Sequence, residues 1–194
     1  MKKCLIATMC LGFLLGLASM GLAADTRNVD ITAYVPQQNG LTVTVSRVIG
    51  TTFTSATSIA FGNLAYDTVN KIFTTSDGSY YAVDVGCNSN AADWTIAHTV
   101  TSLANGSSNL DTNVNVTFMK QTSDRTGTQM GSILSYAGSG NRSFTKAQLE
   151  GGWLRVYYGL GTGVAGRDAA GVTPVPATKT SGTYSGRVTF TLTP

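Results

Sequence analysis

The sequence predicts an all-β antiparallel sandwich that follows an export leader, and three observations carry that prediction. Apolar and polar residues alternate with a period of two in many short runs, the pattern of half-buried strands. The chain has 22 glycines and many threonines, which suits numerous turns between strands. It closes on Gly182-Thr-Tyr-Ser-Gly-Arg-Val-Thr-Phe-Thr-Leu-Thr-Pro194, a turn and then a strict alternation up to the last residue.

The first residues read as a leader. Lys2 and Lys3 precede an apolar run from Leu5 to Leu22, and Leu22-Ala23-Ala24 supplies small residues for cleavage before Asp25. Residues 1–24 are therefore expected to be removed, leaving 25–194 as one sandwich domain of 170 residues with no stable membrane span. The formal charge of +3 falls to +1 once Lys2 and Lys3 leave, with eleven basic residues against ten acidic ones. That balance gives no electrostatic footprint for nucleic acid or an anionic membrane. Cys4 and Cys10 lie in the leader, so Cys87 stands alone and no intramolecular disulfide can form in the mature chain.

Along the mature chain, Val29, Ile31, Ala33 and Val35 alternate with polar residues and Tyr34, and Leu41, Val43 and Val45 alternate with threonines beyond the turn Pro36-Gln-Gln-Asn-Gly40. Further strands are predicted over Ser58–Leu64, Lys71–Thr74, Tyr80–Cys87, Trp94–Val100, Asn113–Lys120, Ile133–Tyr136, Trp153–Leu160 and Thr183–Thr193. Phase assigns faces within them. Tyr81, Val83, Val85 and Cys87 share one side, as do Val114, Val116 and Phe118, then Leu154, Val156, Tyr158 and Leu160, then Val188, Phe190 and Leu192. Cys87 is accordingly expected to be buried and unreactive. Thr145-Lys-Ala-Gln-Leu149 reads as one helical turn capped by Thr145. Residues 104–113 and 159–179, rich in Gly, Asn, Ser and Pro, read as loops.

The residues point to no enzyme, no metal and no cofactor. His98 is the only histidine and has no cluster of ligands at metal spacing, so it reads as a packed strand residue. Glu150 is the only glutamate, and the aspartates fall mostly in turns such as those at Asp67, Asp77, Asp111 and Asp168. Gly159-Leu-Gly-Thr-Gly163 lacks the helix that would give a glycine loop a phosphate-binding meaning. Trp153 and Tyr157 flank Arg155 on the face opposite Leu154 and Val156, an aromatic and basic stripe that suits either a surface contact with a subunit or a carbohydrate or, equally, a second sheet face packed under a loop.

The order of these segments resembles the spore coat protein U and archaic chaperone-usher pilin family. The stretches that carry it are Asn28-Val-Asp-Ile-Thr-Ala-Tyr-Val-Pro36, Ile59-Ala-Phe-Gly-Asn-Leu64, Tyr81-Ala-Val-Asp-Val-Gly-Cys87, Asn113-Val-Asn-Val-Thr-Phe118 and Gly182 to Thr193. The resemblance implies an Ig-like sandwich exported through the periplasm to the cell surface or medium, a structural or adhesive subunit of a pilus-like fibre or coat. It implies self-association or related surface subunits as partners, with a periplasmic chaperone and an usher. It also implies that Val29, Ile31, Ala33 and Val35 form a donor strand for the next subunit's open groove, although the same residues would equally suit pairing within their own domain. The disulfide common in that family is absent, since Cys87 has no partner near Gly40 or Leu41. A secreted carbohydrate-binding module using Trp153, Arg155 and Tyr157 is the alternative in another class.

Overall fold

The computed structural model describes residues 30–194, so residues 1–24, expected to be a leader, and Val29 lie outside the described residues. Of the described residues, 30–35 fall in one unit and 36–194 in a second. In the first, residues 30–35 are exposed and form no strand, where the alternation predicted one. An alternating segment becomes a strand only beside a neighbour that takes its amides and carbonyls.

The second unit is nearly all β. Its strands are β1 (Asn39–Ile49), β2 (Thr52–Ala56), β3 (Ala65–Asp67), β4 (Ile72–Thr74), β5 (Tyr80–Ser89), β6 (Thr95–Val100), β7 (Ala104–Asn105), β8 (Ser108–Asn109), β9 (Val114–Ser123), β10 (Thr126–Gln129), β11 (Leu134–Ser135), β12 (Arg142–Thr145), β13 (Trp153–Leu160), β14 (Val175–Pro176) and β15 (Val188–Thr193). A 3-10 turn covers Ala137–Ser139, and α1 (Lys146–Leu149) is the single helical turn expected after Thr145. The Thr145 side chain accepts from the Gln148 amide and the Gln148 side chain accepts from the Thr145 amide, a reciprocal cap that closes the turn.

A large antiparallel sheet in the order β10-β9-β13-β5-β1-β2, with β11 also on β9, faces a smaller sheet in the order β12-β6-β15. Two further small sheets, β14-β4-β3 and the hairpin β7-β8, complete the unit. Tyr81, Val83 and Val85 of β5, Val114, Val116 and Phe118 of β9, and Leu154, Val156 and Tyr158 of β13 form the buried floor. Ile96 of β6 and Phe144 of β12 come down on it from the smaller sheet, with the Phe118 and Phe144 rings 4.9 Å apart. At the start of β13 the chain passes so close to β9 that a Cβ on Gly152 would meet the Gln121 carbonyl oxygen at 2.0 Å.

Three other expectations change. Residues 58–64 are not a strand, because Gly62 takes a positive φ of 69° and turns the chain, although Ile59 and Phe61 still pack against the core. The two loops contain paired strands: β7-β8 falls within 104–113, and β14 within 159–179. The longer loop is tied down by Asp168, which accepts hydrogen bonds from the Thr162 and Gly163 amides and from the Asn115 side chain. Burial alone would raise the Asp168 pKa, but these donors outweigh it and hold the carboxyl below its ordinary value.

Candidate functional site

The two sheets do not match in width, and among the described residues the smaller sheet ends without a strand partner at both β12 and β15. β15 pairs with β6 along one edge, and among the described residues its other edge carries no strand. Opposite it in the large sheet lies β1. Register places Leu41, Val43 and Val45 of β1 beside Cys87, Val85 and Val83 of β5, hence on the inner face. Val85 is fully buried there, whereas its neighbour Val43 is 44% exposed. Inner-facing Val188, Phe190 and Leu192 of β15 are likewise only half buried.

Leu41, Val43 and Val45 on one sheet and Val188, Phe190 and Leu192 on the other are thus two apolar rows that are only partly covered, and among the described residues no strand pairs with the outer edge of β15. At the Arg47 end of β1, an ion pair with Asp77 and the edge-to-face rings of Phe61 and Tyr81, 5.6 Å apart, close off the apolar run. A strand added along β15 would pair that edge and cover the exposed valine in one step.

Cys87 lies on the same inner face, opposite Leu41. It is half buried rather than enclosed, which corrects the expectation of a fully buried thiol: it lies toward the end of β5, where the neighbouring Leu41 of β1 is itself only partly covered. Burial pushes its pKa up, against a smaller opposing pull from Lys146. The thiol is therefore expected to react slowly but measurably with a neutral disulfide reagent in the isolated subunit, and to be protected once the groove is filled. Equal labelling rates before and after filling would count against this placement.

The stripe on β13 is a packed face rather than an open contact surface at its centre. Trp153, Arg155 and Tyr157 do share the outer face of the large sheet, but Arg155 is only 3% exposed. Its Nε and Nη2 donate to the two Asp84 carboxylate oxygens at 2.6 and 2.7 Å, and the Trp153 indole donates to the same carboxylate at 3.1 Å. Phe53 lies under the guanidinium with its ring centre at 4.8 Å, and Tyr157 stacks edgewise on Tyr80. The hydrogen bonds that Arg155 donates to Asp84 raise the Arg155 pKa further, so the group stays charged. Sequence phase placed Arg155 on the correct face, but its partner Asp84 stands 71 residues away and carries no local signal.

Ile31 is 91% exposed, and Ala33 and Val35 are exposed with it; Val29 falls outside the described residues. Among the described residues no group of three His, Cys, Asp or Glu side chains could hold a metal ion, and no helix is long and apolar enough to cross a membrane. With the site described, comparison of the chain with family models, curated proteins and solved structures finds no match.

Proposed function

We propose that this chain is an exported structural subunit of a surface fibre or coat whose copies join by strand addition. Residues 29–35 of one copy seat beside β15 of the next, with Val29, Ile31, Ala33 and Val35 turned into the groove. The observation that carries this reading is the exposed inner-facing Val43 beneath the free edge of β15. Burying a side chain such as Ile31 or Val35 contributes about 1.5–3 kcal/mol. A full row of such contacts, together with a paired β15 edge, is ample for a stable assembly. No cofactor is required. A periplasmic chaperone and an usher fit the same logic, since the open groove has to be covered before the next copy arrives.

The carbohydrate reading loses its main support. Arg155 and the Trp153 indole spend their donors on Asp84, leaving only the partly exposed aromatic faces of Trp153 and Tyr157 for a sugar.

The test is a chain lacking residues 25–35, followed by size-exclusion chromatography and thermal melting with a synthetic peptide of those residues. Strand addition predicts a folded monomer that cannot polymerise, binds the peptide one to one and melts higher with it. A deletion that unfolds the protein would return the segment to its own domain.

A further inference from the structure

His98, the only histidine in the chain, sits on β6 between the two sheets with no exposed surface. Its Nδ1 is 2.8 Å from the Ser139 carbonyl oxygen, which only accepts, so Nδ1 carries the proton. Nε2, 2.9 Å from the Tyr158 hydroxyl, then accepts the hydroxyl proton. The ring is further enclosed by Phe118 of β9 at 5.0 Å and Phe190 of β15 at 5.3 Å between centroids. Both nitrogens are thus satisfied in the neutral ring. A second proton on Nε2 would meet the very hydroxyl that donates to it, and Tyr158 is itself only 1% exposed.

The surrounding charges offer no help. No carboxylate lies on β6, β9, β12, β13, β15 or the 3-10 turn. Arg142 of β12 stands directly opposite His98 in the register. From β13 the facing titratable group is the Tyr158 phenol, and Tyr136 at the head of the 3-10 turn is a second phenol, pushed up to about 12 chiefly by burial. Arg155 and Tyr157 of β13 lie on the opposite face of the large sheet, Lys120 of β9 is paired with Glu150, and β15 contributes no titratable group. Asp111, whose charge reaches Tyr136, accepts from the Ser102 hydroxyl and the Leu103 amide, so among the described residues no carboxylate pairs with an imidazolium here.

We propose that His98 makes the smaller sheet acid-sensitive: its protonation separates β6 and β15 from the large sheet and so unseats the wall of the strand-accepting groove. The acid sensitivity stands by itself, whereas its consequence for the groove rests on the strand-addition reading. Burial holds the His98 pKa below its ordinary value of 6.5, with the Ser139 carbonyl a smaller opposing influence. Above that pH the folded and unfolded states are both neutral and the histidine contributes nothing pH-dependent. As the pH falls below it, the unfolded chain binds a proton that the folded one refuses, and stability is lost until the folded pKa is reached.

The experiment uses the exported protein and its His98→Gln variant. With a single histidine, the imidazole Hε1 resonance is unambiguous, and in the native protein it should not titrate near pH 6.5. Urea unfolding at pH 7, 6 and 5 should show the unfolding constant of the parent rising up to about tenfold more than that of the variant between pH 6 and 5. A native imidazole that titrates reversibly near 6.5, or parallel pH curves for parent and variant, overturns the proposal. Binding of the residue 25–35 peptide should weaken over the same interval in the parent alone. A peptide that binds at no pH defeats the strand-addition reading, while the resonance and the unfolding curves still decide the acid sensitivity.

Discussion

Replacing Asp84 with alanine is expected to destabilise the domain by about 3–5 kcal/mol, the usual cost of leaving one member of a buried ion pair without its partner. Arg155 is enclosed by Phe53, Trp153 and the sheet, and Asp84 answers it with both carboxylate oxygens. The remaining acceptors are poor. The Asp124 carbonyl lies at 3.2 Å, and the Asp124 carboxylate, 3.9 Å from Nη2, is almost fully exposed. A guanidinium cannot neutralise itself at any accessible pH, so the charge remains buried. Urea denaturation gives the loss directly. The double replacement Asp84→Leu with Arg155→Met should recover most of it, because an apolar pair of similar volume removes the stranded charge. A single Asp84→Ala variant within about 1 kcal/mol of the parent would show that solvent reaches Arg155 after all.

The second large effect concerns assembly and leaves the fold alone. Under the strand-addition proposal, Ile31→Asp is expected to abolish polymerisation, since it removes an apolar side chain worth about 1.5–3 kcal/mol. It also sets a carboxylate against the apolar rows of β1 and β15, where desolvation costs it a few kcal/mol more. Each 1.4 kcal/mol is tenfold in affinity, so a loss of more than about a hundredfold is expected. Because Ile31 is exposed in the subunit, the melting temperature of the monomer should not change. Size-exclusion chromatography and circular dichroism read the two effects separately. Assembly of the variant at parental concentrations would remove residue 31 from the interface.

Strict alternation made the long central strands legible. Trp153–Leu160 has the predicted bounds, and Tyr80–Ser89 and Val114–Ser123 extend their predictions by two or three residues at one end. The inner faces follow the same phase, and Thr145 caps its helical turn through a local pattern that the chain spells out within four residues. The short polar strands β2, β10 and β12 carry no such periodicity. They are strands because a neighbour offers an edge, which is long-range information.

The candidate site divides in the same way. Val43 reads as an ordinary half-buried strand residue in its own run, and its exposure goes with the end of the smaller sheet at β15 and with β2 pairing to β1 only from Val45 onward. Ile31, Ala33 and Val35 are visible as an apolar face in the sequence, but a face does not name its partner. Arg155 reads as a solvent-facing charge, since charged residues are mostly exposed, until Asp84 and Phe53 are brought over it by strand pairing.

The account turns on whether a strand adds along the free edge of β15, and amide hydrogen exchange reads that edge most directly. The measurement compares the chain lacking residues 25–35 alone and with the peptide of those residues, resolved by mass spectrometry over residues 36–194. Strand addition predicts new protection at alternate amides of Val188–Thr193 and within the peptide from residue 29 to residue 35, with little change along β10 on the far edge of the large sheet. Peptide binding without protection of β15, or protection centred on another edge, would contradict the account.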